Sequence, residues 1–140
     1  MRTLAVALMA LLAAGVANAQ VGGSAMTAEI PFVFEMSGTS LPAGEYNVTF
    51  SNGGSYIVVK EVDSKSAALA IAISLYPKDM SAENVKLVFN RYNDRYFLSQ
   101  IWHPALVREL PKSKQERELV TSRVIAANPI RVVIAARVVR

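Results

Sequence analysis

Lys86-Leu-Val-Phe-Asn-Arg-Tyr-Asn-Asp-Arg-Tyr-Phe-Leu-Ser-Gln-Ile-Trp102 is the densest run of strand-forming residues in the chain, and its reading decides the fold class. Asn93 and Asp94 separate two runs of aromatic and branched side chains, and both residue types tolerate the positive φ of a two-residue primed turn. The stretch reads as a β-hairpin with that pair at its tip. A regular register sets Arg91 opposite Tyr96, Phe89 opposite Leu98, Leu87 opposite Gln100 and Val85 opposite Trp102 on one side, the expected core face. The other side carries Tyr92 with Arg95, Asn90 with Phe97, Val88 with Ser99 and Lys86 with Ile101. That mixture is too polar for a core and too apolar for an ordinary surface.

Working back toward the N-terminus, period-2 alternation recurs. Ile30, Phe32, Phe34 and Met36 alternate with Pro31, Val33 and Glu35, which predicts a strand over 29–36 that begins at a sheet edge because Pro31 has no N–H. Leu41-Pro-Ala-Gly44 has the residues of a type I turn and leads into a strand over 45–51. Asn52-Gly53-Gly54 reverses the chain into another over 55–62. Between 67 and 76, Leu69, Ile71, Ile73 and Leu75 fall on one face and Ala68, Ala70, Ala72 and Ser74 on the other. Large residues two apart indicate a strand, and its small face lets another element approach closely.

Beyond Trp102 the pattern breaks at His103-Pro104. Ser113-Lys-Gln-Glu116 is a capping box, in which Ser113 accepts from a free helix N–H and Glu116 reaches back. A helix is predicted from Lys114 to about Ala126, stopped by Asn128-Pro129 and followed by a closing strand over 130–139 with Arg131 and Arg137 outward. About seven strands and one helix in the C-terminal half make a mainly β protein, a single antiparallel barrel or sandwich that hides its edges by curling or pairing.

Arg2, an uncharged run from Thr3 to Val16 and the small residues of Ala17-Asn18-Ala19 form a secretory signal peptide. The run is shorter than the ~20 residues of a spanning helix, so residues 1–19 are expected to be cleaved and 20–140 to form one domain in the periplasm or outside the cell. Zero cysteines exclude disulfide staples, thiol catalysis and Cys-ligated metal. Charge is uneven. From Gln20 to Val107 there are six Lys/Arg against eight Asp/Glu, and from Arg108 to Arg140 eight against three. The basic C-terminal third favours an anionic surface or an acidic partner, and export argues against nucleic acid.

Ile30-Pro-x-x-Phe34, Leu41-Pro-Ala-Gly-Glu-Tyr46, Phe89-x-Arg-Tyr-x-Asp-x-Tyr-Phe-Leu-Ser-Gln-Ile-Trp102 and Arg108-Glu-Leu-Pro-Lys-Ser-x-x-Glu-Arg-Glu-Leu119 together resemble a family of small exported bacterial proteins. The resemblance spans nearly the whole of 20–140. It implies export and one mostly β domain, and it brings no activity, cofactor or site residue with it.

No catalytic constellation emerges from the residues themselves. His103 is the sole histidine, which removes His-pair metal sites and leaves it the role of ending a strand. No Gly-x-Ser-x-Gly elbow or phosphate-binding Gly loop occurs, and Glu116 and Glu118 point in different directions on a helix. No catalytic, cofactor or metal residue is therefore assigned. Two functional classes remain. The favoured one is a non-enzymatic binding or structural module for a protein, an envelope component or a small apolar ligand. The alternative is a hydrolase using carboxylates that the sequence does not pair. The candidate partner surface is the mixed hairpin face, Tyr92, Arg95, Phe97 and Ile101, with neighbouring Arg108 and Lys112, unless the helix from Lys114 covers that face and turns Phe97 and Ile101 into core.

Overall fold

The turns at 93–94 and 52–54 fold as the residue types predict. Asn93 takes a positive φ of 55° and Asp94 does not, so the tip has positive φ at its first position alone, as in a II′ turn. Gly53 and Gly54, at φ 67° and 87°, make the reversal after residue 51. The computed structural model of the chain describes residues 25–78, 84–104, 106–122 and 128–139. These contain the strands β1 (Ala25–Ile30), β2 (Phe34–Met36), β3 (Thr39–Leu41), β4 (Gly44–Ser51), β5 (Tyr56–Glu61), β6 (Ala67–Ile71), β7 (Ile73–Leu75), β8 (Lys86–Tyr92), β9 (Arg95–His103), β10 (Leu106–Glu109) and β11 (Ile130–Val139), and the helix α1 (Lys114–Thr121).

The architecture is a nearly closed antiparallel barrel. From β1 the sheet runs through β4 and β5 to β6. Past Ala72 the same stretch of chain becomes β7, which pairs with β10, and the circuit returns through β9, β8 and β11 to β1. The hairpin β2–β3 sits at this seam, joined to β9 by one parallel bridge at Glu35 and Phe97. A barrel rather than a sandwich is thus the way the chain removes its edges.

Among the described residues, eleven strands stand where seven were expected, for physical reasons. Pro31 does not merely start a strand; it splits the predicted 29–36 run into β1 and β2, since it has no ladder N–H. Ser37 and Gly38 both take positive φ, 49° and 80°, the two-residue primed turn that creates β3. The 67–76 run bends at Ala72, and 106–109 adds β10 against β9. The helix ends at Thr121, with Ser122 as its extended C-cap; residues 123–127, where the longer helix was expected, lie outside the described residues.

The hairpin holds its predicted register from Tyr92–Arg95 to Phe89–Leu98, then shifts, because Val88 pairs with Gln100. Ser99 is the extra residue of a β-bulge. Its carbonyl accepts from Leu110 N at 2.8 Å, which ties the end of β10 back to β9. The shift exchanges the faces of all that follows. Ile101, expected outside, is fully buried opposite Leu87, and Trp102, expected in the core, lies outside with the Lys86 ammonium 4.3 Å from its ring centre.

The barrel is filled by side chains. Met26, Ile30, Phe34, Tyr46, Val48, Ile57, Phe89 and Ile101 are among its buried residues. Phe32 packs against this core, stacked on Tyr96 at 3.8 Å and edge-on to Phe89 at 5.0 Å, with the Arg91 guanidinium 5.5 Å from the Tyr96 ring centre. Burial, with Glu61 nearby, pushes the Tyr46 phenol up to about 12, and its hydroxyl donates to the Pro42 carbonyl in the predicted 41–44 turn.

Candidate functional site

Of the six residues proposed for a partner surface, Tyr92, Phe97 and Ile101 are buried, Arg95 and Arg108 are half-buried and engaged with other parts of the fold, and Lys112 is exposed. Tyr92 and Phe97 do point away from the barrel interior, but both are buried, Phe97 at 2 % exposure. The cause is α1. Its Glu116, itself 4 % exposed, accepts from Asn90 Nδ2 at 2.9 Å and from the Tyr92 hydroxyl at 3.0 Å. Burial and this carboxylate push the Tyr92 phenol up to about 12. Glu116 therefore does not reach back as a capping box requires. Only the Ser113 half forms, Ser113 Oγ accepting from Glu116 N at 3.2 Å.

Arg95 makes a two-pronged ion pair with Glu35, Nε to Oε2 at 3.0 Å and Nη2 to Oε1 at 2.7 Å, and lies across the Phe97 ring at 5.2 Å. It clamps β2 to β9. Ile101 is interior because of the Ser99 bulge. Arg108 holds the turn before β5, its Nε donating to Gly54 O and its Nη2 to Gly53 O, both at 2.9 Å. His103 ends β9 as expected, buried with its ring 5.5 Å from Phe50, and burial lowers its pKa.

Lys112 instead lines a groove that the sequence did not reveal. The outward faces of β5 and β6 form its floor through Tyr56, Leu69 and Ile71; one wall is the Ser37–Gly38 turn, and the other is Pro111 to Lys114 with Gln115 and Arg117. Its volume is about 610 Å³. The floor exists because β6 presents its alanines inward: Ala68 and Ala70 are buried while Leu69 and Ile71 are 58 % and 66 % exposed. Tyr56 pairs with Ile71 and Val58 with Leu69 across the strands, so the apolar side chains are contiguous. The walls supply three cations, Lys112, Lys114 and Arg117, and among the described residues no carboxylate lines the groove.

A smaller depression of about 450 Å³ is lined by residues that include Thr27, Glu29, Glu45 and Arg137. Glu29 and Glu45 face each other across β1 and β4, and both are exposed on the outer wall. Among the described residues there is no group of three or more His, Cys, Asp or Glu able to hold a metal, and no helix is long and apolar enough to cross a membrane. No family model matches the chain, and no curated protein or solved structure matches it.

Proposed function

We propose that the chain is an exported, non-enzymatic binding module of the bacterial envelope or extracellular space, and that it binds through the groove between the β5–β6 outer face and the start of α1. The observation that carries this is the inversion of β6, which spends methyl groups on the interior and its two largest aliphatic side chains on the groove floor. Exposed aliphatic residues ringed by polar ones mark interaction sites, and three cations beside them add selectivity for negative charge.

An amphiphilic anionic dye, anilinonaphthalene sulfonate, tests the groove. The folded protein should bind it, and the double change Leu69→Ser with Ile71→Ser should abolish binding while shifting unfolding by no more than about 0.5 kcal/mol, as for exposed positions. Unaltered dye binding in that variant would remove the groove as the site. Export is tested separately: the intact mass of the secreted or periplasmic product should begin at Gln20, and a product retaining Met1 would contradict it.

A further inference from the structure

We infer that the occupant of this groove is the headgroup region of an anionic lipid bilayer, on which the barrel docks with its β6–β7 side. The inference rests on the groove being the binding surface and names what covers it. The apolar row does not stop at the groove. Two residues beyond Ile71, Ile73 is 53 % exposed, and Tyr76, just past the end of β7, is 90 % exposed. From Leu69 to Ile73 alone this is about 13 Å of strand. A small ligand held in the groove would leave Ile73 and Tyr76 wet, whereas a bilayer surface covers the whole row at once.

The chemistry along the row matches such a surface. Tyrosine has an apolar ring and a hydroxyl that stays wet, the pattern favoured at membrane–water interfaces. Lys112, Lys114 and Arg117 stand on one margin and are exposed. Lys112 and Arg117 have no ion-pair partner among the described residues, and Lys114 has only Glu118 at 4.0 Å. Aliphatic side chains entering the acyl boundary, flanked by cations that meet phosphates, constitute interfacial attachment without a span.

The test uses the chain from Gln20, which holds every described residue, and sedimentation with phosphatidylcholine vesicles made with or without phosphatidylglycerol. Binding should require phosphatidylglycerol and weaken with salt. Joint replacement of Lys112, Lys114 and Arg117 by Ala should lower partitioning roughly fivefold per charge removed, and Leu69→Ser with Ile71→Ser should abolish it. A Tyr76→Trp variant should shift its emission to the blue on phosphatidylglycerol vesicles, because the row enters the interface. Equal binding to neutral vesicles, or binding that these variants leave unchanged, overturns the inference. If vesicles fail but the dye still occupies the groove and is lost with Leu69→Ser and Ile71→Ser, the bilayer is the wrong occupant and the groove survives, pointing to a soluble acidic ligand. If dye and vesicles both fail, both readings fall.

Discussion

Replacing Glu116 by Ala should loosen the helix from the barrel by an amount that the geometry sets. The change removes the acceptor for Asn90 Nδ2 at 2.9 Å and for the Tyr92 hydroxyl at 3.0 Å, and at about 1.5–3 kcal/mol for each bond to a charged group the gross loss is about 3–6 kcal/mol. Removing the carboxylate also removes the cost of dehydrating it, so the expected net loss is about 2–4 kcal/mol. Urea unfolding followed by Trp102 emission would measure it. Because α1 is not a stave of the barrel, part of the loss should appear as local opening. Amide exchange at Arg117 and Ser122, which donate to Ser113 O and Glu118 O, should quicken more than exchange at Val59 in the sheet. Tyr92→Phe removes one donor only, and in combination with Glu116→Ala the two should couple by at least about 0.5 kcal/mol. Additive effects, or a Glu116→Ala loss below about 0.5 kcal/mol, the range of ordinary surface changes, would refute the claim that this carboxylate fastens the helix.

Leu98→Ala should cost about 2–5 kcal/mol as a core truncation, and Trp102→Ala should cost less, both in urea melts followed by circular dichroism, since the bulge puts Trp102 outside. The order would reverse if the register ran regularly through Ser99. His103 supplies a pH signature: burial holds its folded pKa below the ordinary 6.5, so the unfolded chain binds the proton first. Its contribution to stability is whole above pH 6.5 and falls as pH drops from there to the lowered folded value, by at most about 1.4 kcal/mol per pH unit. Comparing melts of the protein and of His103→Gln isolates that slope, and identical slopes would contradict it. Gly54→Ala should be worse than Gly53→Ala: both carry the left-handed strain of about 1–2 kcal/mol, but a Cβ on Gly54 would lie 2.7 Å from Arg108 Nη2, while one on Gly53 meets nothing within 4 Å. Equal melting points for the two variants would argue against the Arg108 clamp.

Strand type was legible wherever large residues alternate, as at residues 44–51, 86–92 and 130–139, because a two-residue period has one structural meaning. What alternation does not encode is which face is inside. Along 67–71 the inner space is occupied by the β2–β3 hairpin, whose Phe34, Met36 and Leu41 are buried, and only alanine methyls fit opposite. The groove floor followed from that packing, which depends on residues some thirty positions earlier. The Ser99 bulge was likewise silent, since serine is ordinary in a strand and the extra residue is specified by the distant Leu110 amide. Glu116 was singled out for its position three after Ser113, yet its partners Asn90 and Tyr92 lie on another element, so local chemistry named the residue and tertiary structure gave it another role. Lys112 was singled out through the basic run after Arg108, as a neighbour of the hairpin face and not as the groove wall it forms.

The placement of β11 between β8 and β1 governs when this protein can become a protein. Ala25 is matched with Val139 and Arg91 with Ile130, so the earliest strand and the hairpin each keep a bare edge until the latest strand is present. A chain emerging in order from its N-terminus cannot shut the wall early, however well its local turns are made, because the last stave is made last. Pairing of such distant segments is slow to form and offers little reward until nearly complete. The same arrangement keeps the nascent chain open and threadable up to its final strand, and makes β11 the piece whose arrival converts a row of hairpins into a barrel.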